Sequence, residues 1–434
     1  MSDWTEDSLG HLAKIEIGGT PSRDVEAFWA SENENGHPWV SIADLGPRYV
    51  STTKERITDL GVLSSNVKPV GRGTLLMSFK LTIGRAGIAD CDLFTNEAIA
   101  AVVPEQHTLD SSFLYHLLPP IARRAVTDTA IKGSTLNKQT LARLKLCFPK
   151  DVRHQRRIAE ILCTVDEVIE QTEALIAKYQ QIKAGLMHDL FTRGVTPDGP
   201  LRSTYKQAPH LYKESPLGWI PKEWDVSKLR DKSSPVRPHI KTGPFGSSLK
   251  GEHWVENGRP VITIGALGEG ELLTEGLLFV SEATAHRLRE YQLQRGDVVF
   301  SRVADVGRSA VICEEHDGWI MSSNLMRISL NQNLIVPGYL QAQFAFDYRV
   351  KAQIRAKVNS GGRDVANGQI LNQLQFAWPR RDEQEIALNR IRALDTNRRS
   401  LTDRRTKLLK LRHGLMQDLL TGRVRVKVAE TASI

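Results

Sequence analysis

Apolar and polar positions follow two distinct patterns along this chain of 434 residues. Residues 1–150 and 217–379 contain short apolar runs punctuated by glycine, for example residues 39–42 and 99–103. Runs of this length, bounded by turn residues, predict β-strands. A helix is predicted at about residues 111–126. Each block therefore has the pattern of a globular α/β domain.

A long helical pattern follows the first block. Between Gln155 and Phe191 there is no proline and one glycine, and apolar residues recur with the heptad spacing of a coiled coil. One seam position is predicted to hold Ile158, Val165, Thr172, Tyr179 and Leu186. The other is predicted to hold Ile161, Val168, Leu175 and Ile182.

A second long helical pattern follows the second block, from Asp382 to Leu420. One of its seam positions holds Leu394, Leu401, Leu408 and Leu415. The other holds Ile391, Arg398, Arg405 and Arg412. Arginine suits such a position because its long stem covers apolar surface while the guanidinium stays in water.

The two helical patterns match in length to about one residue, because they start after Pro149 and Pro379 and end on similar residues. At 1.5 Å per residue, each helix would be roughly 55–60 Å long. Equal length and sustained heptads predict an antiparallel coiled coil with a globular block at each end and a pseudo-two-fold axis. The alternative is two unrelated surface helices with apolar stripes.

The C-terminal half of the chain repeats the N-terminal half. Residues 185–192 return as residues 414–421, an offset of 229, and residues 72–78 return as residues 295–301, an offset of 223. A Gly-Arg pair follows at the same spacing in both copies, at residues 84–85 and 307–308. Solenoid repeats span roughly 20–50 residues, so a repeat this long predicts a duplicated domain.

The composition is that of an ordinary soluble globular protein, at 41% hydrophobic and 25% charged residues. A net charge of +8 and a pI near 9.2 favour a polyanionic partner. The four cysteines form no C-x-x-C pair, which predicts reduced thiols. With no signal-peptide pattern and no apolar run of about 18 residues, the sequence predicts a cytoplasmic protein.

Motifs that carry a family resemblance occur in order in both halves. Residues 217–224 read Leu-Gly-Trp-Ile-Pro-Lys-Glu-Trp, and residues 242–249 read Thr-Gly-Pro-Phe-Gly-Ser-Ser-Leu. The first half carries a related variant, Gly-Gly-Thr-Pro-Ser, at residues 18–22, and both blocks close on a proline that leads into the helix. Together with the helix endings at residues 186–190 and 415–424, these motifs resemble the DNA-specificity (S) subunit of type I restriction-modification systems.

The first half departs from the family pattern in two places. The N-terminus keeps Trp4 and Leu9 without the full opening motif, and residues 152–155 read Val-Arg-His-Gln where the family usually has a Glu-Gln pair. These departures leave the residue at which the first domain starts undetermined. The resemblance nevertheless covers essentially the whole chain.

The resemblance implies a division of the chain into recognition and spacing elements. Each target recognition domain would read one half of a bipartite, asymmetric double-stranded DNA site. The coiled coil would set the spacing and dock two modification (methyltransferase) subunits, and restriction (motor-nuclease) subunits would join the full complex. The implied elements are domain 1 (1–150), helix 1 (151–193), a linker (194–216), domain 2 (217–379), helix 2 (380–425) and a tail (426–434).

The sequence carries no recognisable catalytic motif. It has no G-x-x-x-x-G-K-[ST] phosphate loop and no H-E-x-x-H pair, and its only Pro-Pro, at residues 119–120, is followed by Ile121 rather than tyrosine. Residues 265–270 are interpreted as a glycine-rich turn. We therefore expect no catalytic residue, no cofactor and no metal site, as the family resemblance also implies.

Candidate DNA contacts lie in two loops of each copy, where the copies differ around common glycines. Cations are expected to face phosphates, and polar side chains to reach base edges. The first loop provides Lys80, Thr82 and Arg85 in copy one and Arg302, Asp305 and Arg308 in copy two. The second provides Lys132, Ser134, Thr135, Asn137 and Lys138 in copy one and Arg363 and Asn367 in copy two. The alternative is that both loops are solvated turns.

Two other functions remain as hypotheses. A stand-alone, two-domain DNA-binding regulator would share the domains without needing repeated helix ends, and a self-contained nuclease or methyltransferase would be active alone. Residues 380–425 carry thirteen Lys and Arg against six Asp and Glu. That excess suits a helix that faces DNA or an acidic partner, or simply a solvated face.

Overall fold

The computed structural model describes residues 3–31, 35–105, 107–128, 136–245, 248–268, 270–303, 305–359 and 365–428. The chain divides into two compact units. Unit 1 comprises Met1–Ala174 and Asp403–Ile434, and unit 2 comprises Leu175–Thr402. Both boundaries fall inside a long helix, so each unit contains part of both long helices.

The described residues form ten α-helices, and the longest helix of each half comes last in that half. They are α1 (Leu9–Leu12), α2 (Asp59–Leu63), α3 (Ser111–Asp128), α4 (Lys138–Ala142), α5 (Val152–Thr192), α6 (Glu282–Arg287), α7 (Pro337–Phe346), α8 (Tyr348–Asn359), α9 (Gly368–Gln373) and α10 (Arg381–Leu419). The predicted helix at 111–126 is confirmed as α3. Helices α5 and α10 have 41 and 39 residues.

The first copy builds a five-stranded sheet of order β2-β9-β6-β7-β4 and a three-stranded sheet of order β5-β3-β8, and β1 pairs with β10. The strands are β1 (Trp4–Ser8), β2 (Ala13–Ile17), β3 (His37–Val40), β4 (Tyr49–Val50), β5 (Glu55–Ile57), β6 (Leu75–Ser78), β7 (Ala86–Ala89), β8 (Phe94–Thr95), β9 (Ile99–Pro104) and β10 (Lys145–Pro149).

The second copy builds two four-stranded sheets, of order β14-β21-β18-β19 and β15-β17-β16-β20, and β13 pairs with β22 as β11 does with β12. The strands are β11 (Tyr212–Lys213), β12 (Ile220–Pro221), β13 (Asp225–Lys228), β14 (Ile240–Thr242), β15 (Trp254–Val255), β16 (Arg259–Ile262), β17 (Leu278–Val280), β18 (Val298–Ser301), β19 (Ser309–Val311), β20 (Ile320–Met321), β21 (Leu325–Ile328) and β22 (Gln375–Trp378).

The two copies share one topology. The order β2-β9-β6-β7 corresponds to β14-β21-β18-β19, and the parallel pair β3–β8 corresponds to the parallel pair β16–β20. In each copy an antiparallel ladder joins the start of the domain to the strand before the long helix, with Trp4 opposite Pro149 and Asp225 opposite Trp378. The structure therefore confirms the predicted duplication of a mixed α/β domain.

A buried glutamine attaches each long helix to its domain. Gln155 Nε2 donates to the carbonyl of Pro149 at 2.8 Å, and Gln384 Nε2 donates to that of Pro379 at 2.9 Å. Each Oε1 accepts a backbone N–H at 2.9 Å, from Asp110 for the first and from Val336 for the second. Both glutamines are fully buried, so these bonds hold the helix start against the domain in the same way in both copies.

The heptad seam of α5 is only partly as predicted. The first series is confirmed, since Ile158 and Thr172 are buried and the others in the series are half-buried. The second is wrong by one residue, because Leu162 and Ile169 are buried whereas Leu175 and Ile182 are 44% and 45% exposed. The pattern is ambiguous there because apolar residues stand side by side at 161–162, 168–169 and 175–176.

Ion pairs between α5 and α10 give their direction. In unit 1, Asp166 pairs with Arg412 and Glu173 pairs with Arg405, so seven residues forward on α5 match seven residues back on α10. The helices are therefore antiparallel. In unit 2, Lys183 Nζ lies 2.6 Å from Asp395 Oδ1. Asp395 is 229 positions after Asp166, and Arg412 is 229 after Lys183, so this cross-helix ion pair is built twice.

A buried ion pair joins the linker, residues 194–216, to the first turn of α10 within unit 2. The guanidinium of Arg202 binds both carboxylate oxygens of Glu383, with Nη2 at 2.9 Å from Oε2. Trp224 Nε1 donates to Oε2 at 3.2 Å, and the Val195 N–H donates to Oε1 at 2.9 Å. Because charge and hydrogen bonds are both satisfied, this pair can remain buried.

The corresponding place in unit 1 is open. His154 stands at the position of Glu383, 229 residues earlier, and Trp4 stands at that of Trp224. They line a cavity of about 330 Å³ together with Ile158, Val424 and Val426. The side chain of His154 is 41% exposed. The two copies therefore share a framework but close it with different chemistry.

Candidate nucleic-acid interface

The turn between β6 and β7 positions Lys80, Thr82 and Arg85. Ser78 fixes it: its N–H donates to the Arg85 carbonyl at 2.8 Å, its hydroxyl accepts the Arg85 N–H at 3.0 Å, and it also bonds the Thr82 carbonyl. Gly84 has a φ of +79°, and a Cβ there would lie 3.1 Å from the Pro119 carbonyl. Glycine is thus required where this turn approaches α3.

The turn between β18 and β19 positions Arg302, Asp305 and Arg308 on the same backbone frame. The Ser301 N–H donates to the Arg308 carbonyl at 2.8 Å, and Gly307 has a φ of +104°. Arg308 is held internally: Nη2 lies 2.6 Å from Asp305 Oδ2, and Nη1 donates to the Leu267 carbonyl at 3.1 Å. These bonds occupy three of the five N–H donors of the guanidinium and set a carboxylate against its charge.

Arg85 differs from Arg308 in its surroundings. Among the described residues, no carboxylate lies within ion-pair distance of Arg85. Gly46 lies beside it, since a Cβ on that glycine would lie 3.5 Å from Arg85 Nη2. The charge of Arg85 is therefore more available to an anion than the charge of Arg308.

Equivalent cavities lie beside the two turns. In unit 1 a cavity of about 530 Å³ is lined by Arg85, Arg123 and Arg412 among others. In unit 2 a cavity of about 740 Å³ is lined by residues that include Arg308, Lys351 and Arg355. Each copy therefore gathers several cations beside the Gly-Arg turn, and such clefts attract polyanions.

The second predicted loop is described only in part. Lys132, Ser134, Thr135 and Arg363 lie outside the described residues. Asn137 Oδ1 accepts the Thr140 N–H at 2.9 Å, and Asn367 Oδ1 accepts the Ile370 N–H at 2.9 Å. Both asparagines therefore cap the short helix that follows, α4 or α9. Lys138, on the first turn of α4, is exposed.

In copy two the structure brings the two loops together. The Ala366 N–H donates to the Arg302 carbonyl at 2.8 Å, next to Asn367. The guanidinium of Arg302 lies 5.3 Å from the ring centre of Phe245, whose side chain is 64% exposed. Phe245 is not among the site residues predicted from the sequence, although it lies in the Gly-Pro-Phe-Gly motif. An exposed aromatic ring with a cation over it is a surface suited to stacking.

A buried histidine, His116, lines the cavity of about 530 Å³ beside the β6–β7 turn in unit 1. His116 Nε2 lies 3.3 Å from Cys163 Sγ, and Nδ1 lies 3.9 Å from Asp166 Oδ2. Burial lowers the pKa of His116 to about 4, against the opposing pull of Asp166. Burial likewise raises the pKa of the Cys163 thiol to about 11. Both groups are therefore neutral near pH 7.

The described residues hold no group of three or more His, Cys, Asp or Glu side chains arranged to bind a metal ion. Within the same part of the chain, no helix is long and apolar enough to cross a membrane.

Sequence comparisons assign the first part of the chain to a family. Residues 1–181 match the model of the type I restriction modification DNA specificity domain. The type I restriction enzyme MjaVIII specificity subunit of Methanocaldococcus jannaschii is 21% identical over 98% of this chain and 94% of its own length. The MjaIX specificity subunit of the same organism is 24% identical over 67% of this chain, and the match spans 63% of that relative.

Structure comparisons agree on the fold over nearly the whole chain. The type I restriction-modification S subunit from M. genitalium aligns with a TM-score of 0.59 at 16% identity, covering 96% of both chains. A structure from work on assembly and conformational transition of the type I system aligns with a TM-score of 0.55 at 12% identity, covering 98% and 99%. The resemblance to specificity subunits and the predicted fold class are confirmed.

The family motifs acquire a structural reason in this fold. A Cβ on Gly18 would lie 2.0 Å from the Thr95 carbonyl oxygen, and one on Gly243 would lie 2.0 Å from the Ser322 carbonyl oxygen. Both glycines therefore let the chain pass directly over a strand end. Gln155, retained where the family's Glu-Gln pair loses its glutamate, is one of the two buried glutamines that hold the long helices.

Proposed function

We propose that this chain is the specificity subunit that selects the DNA sequence of a type I restriction-modification enzyme. Domain 1 (1–150) and domain 2 (217–379) would each read one half of a bipartite, asymmetric duplex site. The observation that carries the proposal is the duplicated β6–β7 and β18–β19 turn. Its backbone frame is the same in both copies, but the side chains differ. The positions of Lys80, Thr82 and Arg85 in copy one are held by Val303, Asp305 and Arg308 in copy two. Two readers of different half-sites need this combination.

The long helices would set the distance between the half-sites. We assign residues 151–193 and 380–425 to this spacer, 194–216 to the linker and 426–434 to the tail. The duplicated cross-helix ion pairs Asp166–Arg412 and Lys183–Asp395 support a single antiparallel register. Such a register would hold the spacing constant.

Two modification subunits would dock at the repeated helix ends, and restriction subunits would join them. Gly185 and Gly414 support this docking. Each lies inside a helix, where glycine costs about 1 kcal/mol relative to alanine, and neither has a positive φ. A Cβ at either position would meet nothing within 4 Å. Packing within the chain does not require these glycines, whereas close approach of a partner would.

The chain itself would perform no chemistry and would act in the cytoplasm. The alternative function is a stand-alone DNA-binding regulator with two tethered domains. Co-expression with the modification subunits separates the two, because docking predicts a stable complex of two modification subunits and one copy of this chain. A chain that forms no complex and binds DNA alone would favour the regulator. Robust cleavage or methylation by the purified chain would overturn both.

The glycines provide the sharper test of docking. Gly185→Leu and Gly414→Leu should each weaken binding of one modification subunit while leaving the thermal unfolding midpoint unchanged or higher. Gln180→Leu, at an exposed position in the middle of α5, is the matched control and should leave the stoichiometry at two. Normal stoichiometry in both glycine variants would remove the helix ends from the docking site.

DNA recognition is tested by selection. The full chain, alone or with its modification subunits, should enrich one bipartite sequence from a random duplex library. Exchange of residues 78–85 for 301–308 should change one half of that sequence only. A selected sequence with a single continuous block, or no selection at all, would contradict the proposal.

A further inference from the structure

One residue of the β6–β7 turn has no role in holding the turn together. Leu81 stands at the tip and is 91% exposed, the highest exposure of any large hydrophobic side chain among the described residues. An apolar side chain in water gives up the free energy that burial would supply. Leu81 therefore has surface to bury against something outside the chain.

The backbone at Leu81 is also unusual. Its φ is +57°, and within the described part of the chain it is the one residue other than glycine with a positive φ. This left-handed conformation is unfavourable for a side chain with a Cβ and is normally occupied by glycine or asparagine. A leucine there combines backbone strain with apolar exposure, and strain of this kind concentrates where a residue contacts a ligand.

The turn holds Leu81 out rigidly. On one side Ser78 binds the Thr82 carbonyl and the Arg85 backbone, and on the other Ile83 packs against the core of unit 1. The tip is thereby fixed at both ends. A preorganised apolar side chain loses little conformational entropy when it is buried by a partner.

The charges beside Leu81 favour a polyanion as that partner. Lys80 precedes it, and Arg85 follows within the same turn beside a cavity that Arg123 also lines. Glu97 lies close enough to Lys80 for that cation to help lower its pKa, and it accepts a hydrogen bond from the Thr20 hydroxyl. A protein partner with an apolar pocket would not need Lys80, Arg85 and Arg123 beside the tip, whereas a nucleic acid would contact both these cations and Leu81.

We propose that Leu81 is a wedge that inserts between adjacent base pairs of the half-site bound by domain 1 and unstacks them. Leucine side chains act in this way in DNA-bending proteins, where phosphate contacts hold the protein while an apolar group separates a base step. The inference rests on the proposed DNA-recognition function. In the second copy the repeat places Ala304 at this position, which is too short for a wedge, so unstacking is confined to one half-site.

The wedge is tested with the full chain and the duplex that the chain selects from a random library. 2-Aminopurine is placed in turn at every position of both half-sites, because its fluorescence rises when a base unstacks. Wild type should give a severalfold rise at one step of the domain 1 half-site and none in the other. Leu81→Ala should abolish the rise and weaken binding about tenfold, by loss of buried apolar area.

Two further variants separate the wedge from a structural role. Leu81→Gly relieves the backbone strain and should raise the thermal unfolding midpoint, yet it should lose the fluorescence rise as Leu81→Ala does. Leu81→Met keeps a long apolar side chain and should retain most of the fluorescence rise. Leu63→Ala, at another highly exposed leucine of the first copy (84% exposed), is the matched control and should change neither quantity.

The outcomes distinguish the wedge from the function on which it rests. If no duplex is selected, the proposed DNA recognition fails and the wedge fails with it. If a duplex is selected but wild type shows no rise, or if Leu81→Ala keeps the rise, the wedge alone is overturned. It is also overturned if Leu81→Ala releases a modification subunit while DNA unstacking persists, since Leu81 would then be a protein contact.

Discussion

The two copies of the domain attach to their long helices identically but close over them differently. Gln155 and Gln384 make the same bonds at the helix starts. Beside them, unit 2 places the buried pair Arg202–Glu383 under Trp224, whereas unit 1 has His154 at the edge of an open cavity under Trp4. The attachment of the helix is therefore the same in both copies. The buried Arg202–Glu383 ion pair, to which the linker contributes Arg202, occurs in unit 2 and is replaced by His154 and a cavity in unit 1.

The Arg202–Glu383 ion pair should cause the largest difference between the copies, and that difference is in stability. Glu383→Gln removes the buried carboxylate partner of Arg202 and leaves only the exposed Glu223, whose Oε2 lies 3.3 Å from Nη2. Breaking a buried pair in this way costs about 3–5 kcal/mol. Urea denaturation of the full chain, followed by tryptophan fluorescence, should show a large loss in the free energy of unfolding. His154→Gln, the equivalent change in unit 1, should cost less than about 0.5 kcal/mol. Equal losses of unfolding free energy in the two variants would mean that the Arg202–Glu383 ion pair does not stabilise unit 2.

A second difference concerns acid stability. His116 lies buried in unit 1, six residues after Asp110, and the buried Ala342 lies six residues after Val336, the residue of unit 2 that corresponds to Asp110. Its pKa of about 4 is below the ordinary histidine value of 6.5, so between these pH values the unfolded chain binds a proton that the folded chain does not. Stability from this group is therefore complete above pH 6.5 and is lost as the pH falls toward 4, by up to about 3 kcal/mol.

Replacing the imidazole tests this difference. His116→Gln should flatten the dependence of unfolding free energy on pH between 6.5 and 4, measured by urea titration at each pH. The groups that face His116 (Cys163, Asp166, Arg412, Arg48 and Tyr115) are unchanged in that variant. His107→Gln, at an exposed position, should leave the pH dependence as in wild type. An unaltered slope in His116→Gln would show that other groups dominate acid unfolding.

The smallest expected difference concerns the two Gly-Arg turns. Arg85→Ala should weaken binding to the selected duplex about tenfold and reduce the salt dependence by about one phosphate contact. Arg308→Ala should have a smaller effect, because Asp305 and the Leu267 carbonyl already hold that guanidinium.

Asp305→Asn sharpens the comparison of the turns. It should free Arg308 and strengthen binding severalfold, measured by fluorescence anisotropy at several salt concentrations. If Arg85 and Arg308 have equal effects, and Asp305→Asn has none, the internal ion pair does not regulate the availability of Arg308.

The repeat, the long helices and the strand blocks were predictable because each rests on a local pattern. The seam of α5 was predicted one residue out at Leu175 and Ile182, where neighbouring apolar residues make two faces equally hydrophobic. Contacts distant in sequence left no signal: Arg202 and Glu383 are 181 residues apart. No heptad or motif indicates that they meet.

The candidate site was predictable to a different extent in its two loops. The Gly-Arg turns were located because glycine and arginine recur at fixed spacing. Asn137 and Asn367 were selected as polar residues beside glycine, yet their side chains cap α4 and α9. The spacing of Asn137 to Thr140, which completes a capping box, was the sequence signal for this structural role.

The division of both long helices between the units has a consequence for synthesis. The core of unit 1 includes Leu419 and Leu420, so the core of the first domain to leave the ribosome is complete only after the end of α10 has been translated. Among the described residues, the core cluster of unit 2 on which α5 and α10 pack lies between Leu186 and Ile391. The domain that is translated second can therefore finish folding first, and the nascent first domain remains exposed to chaperones and proteases until Leu419 and Leu420 have been translated.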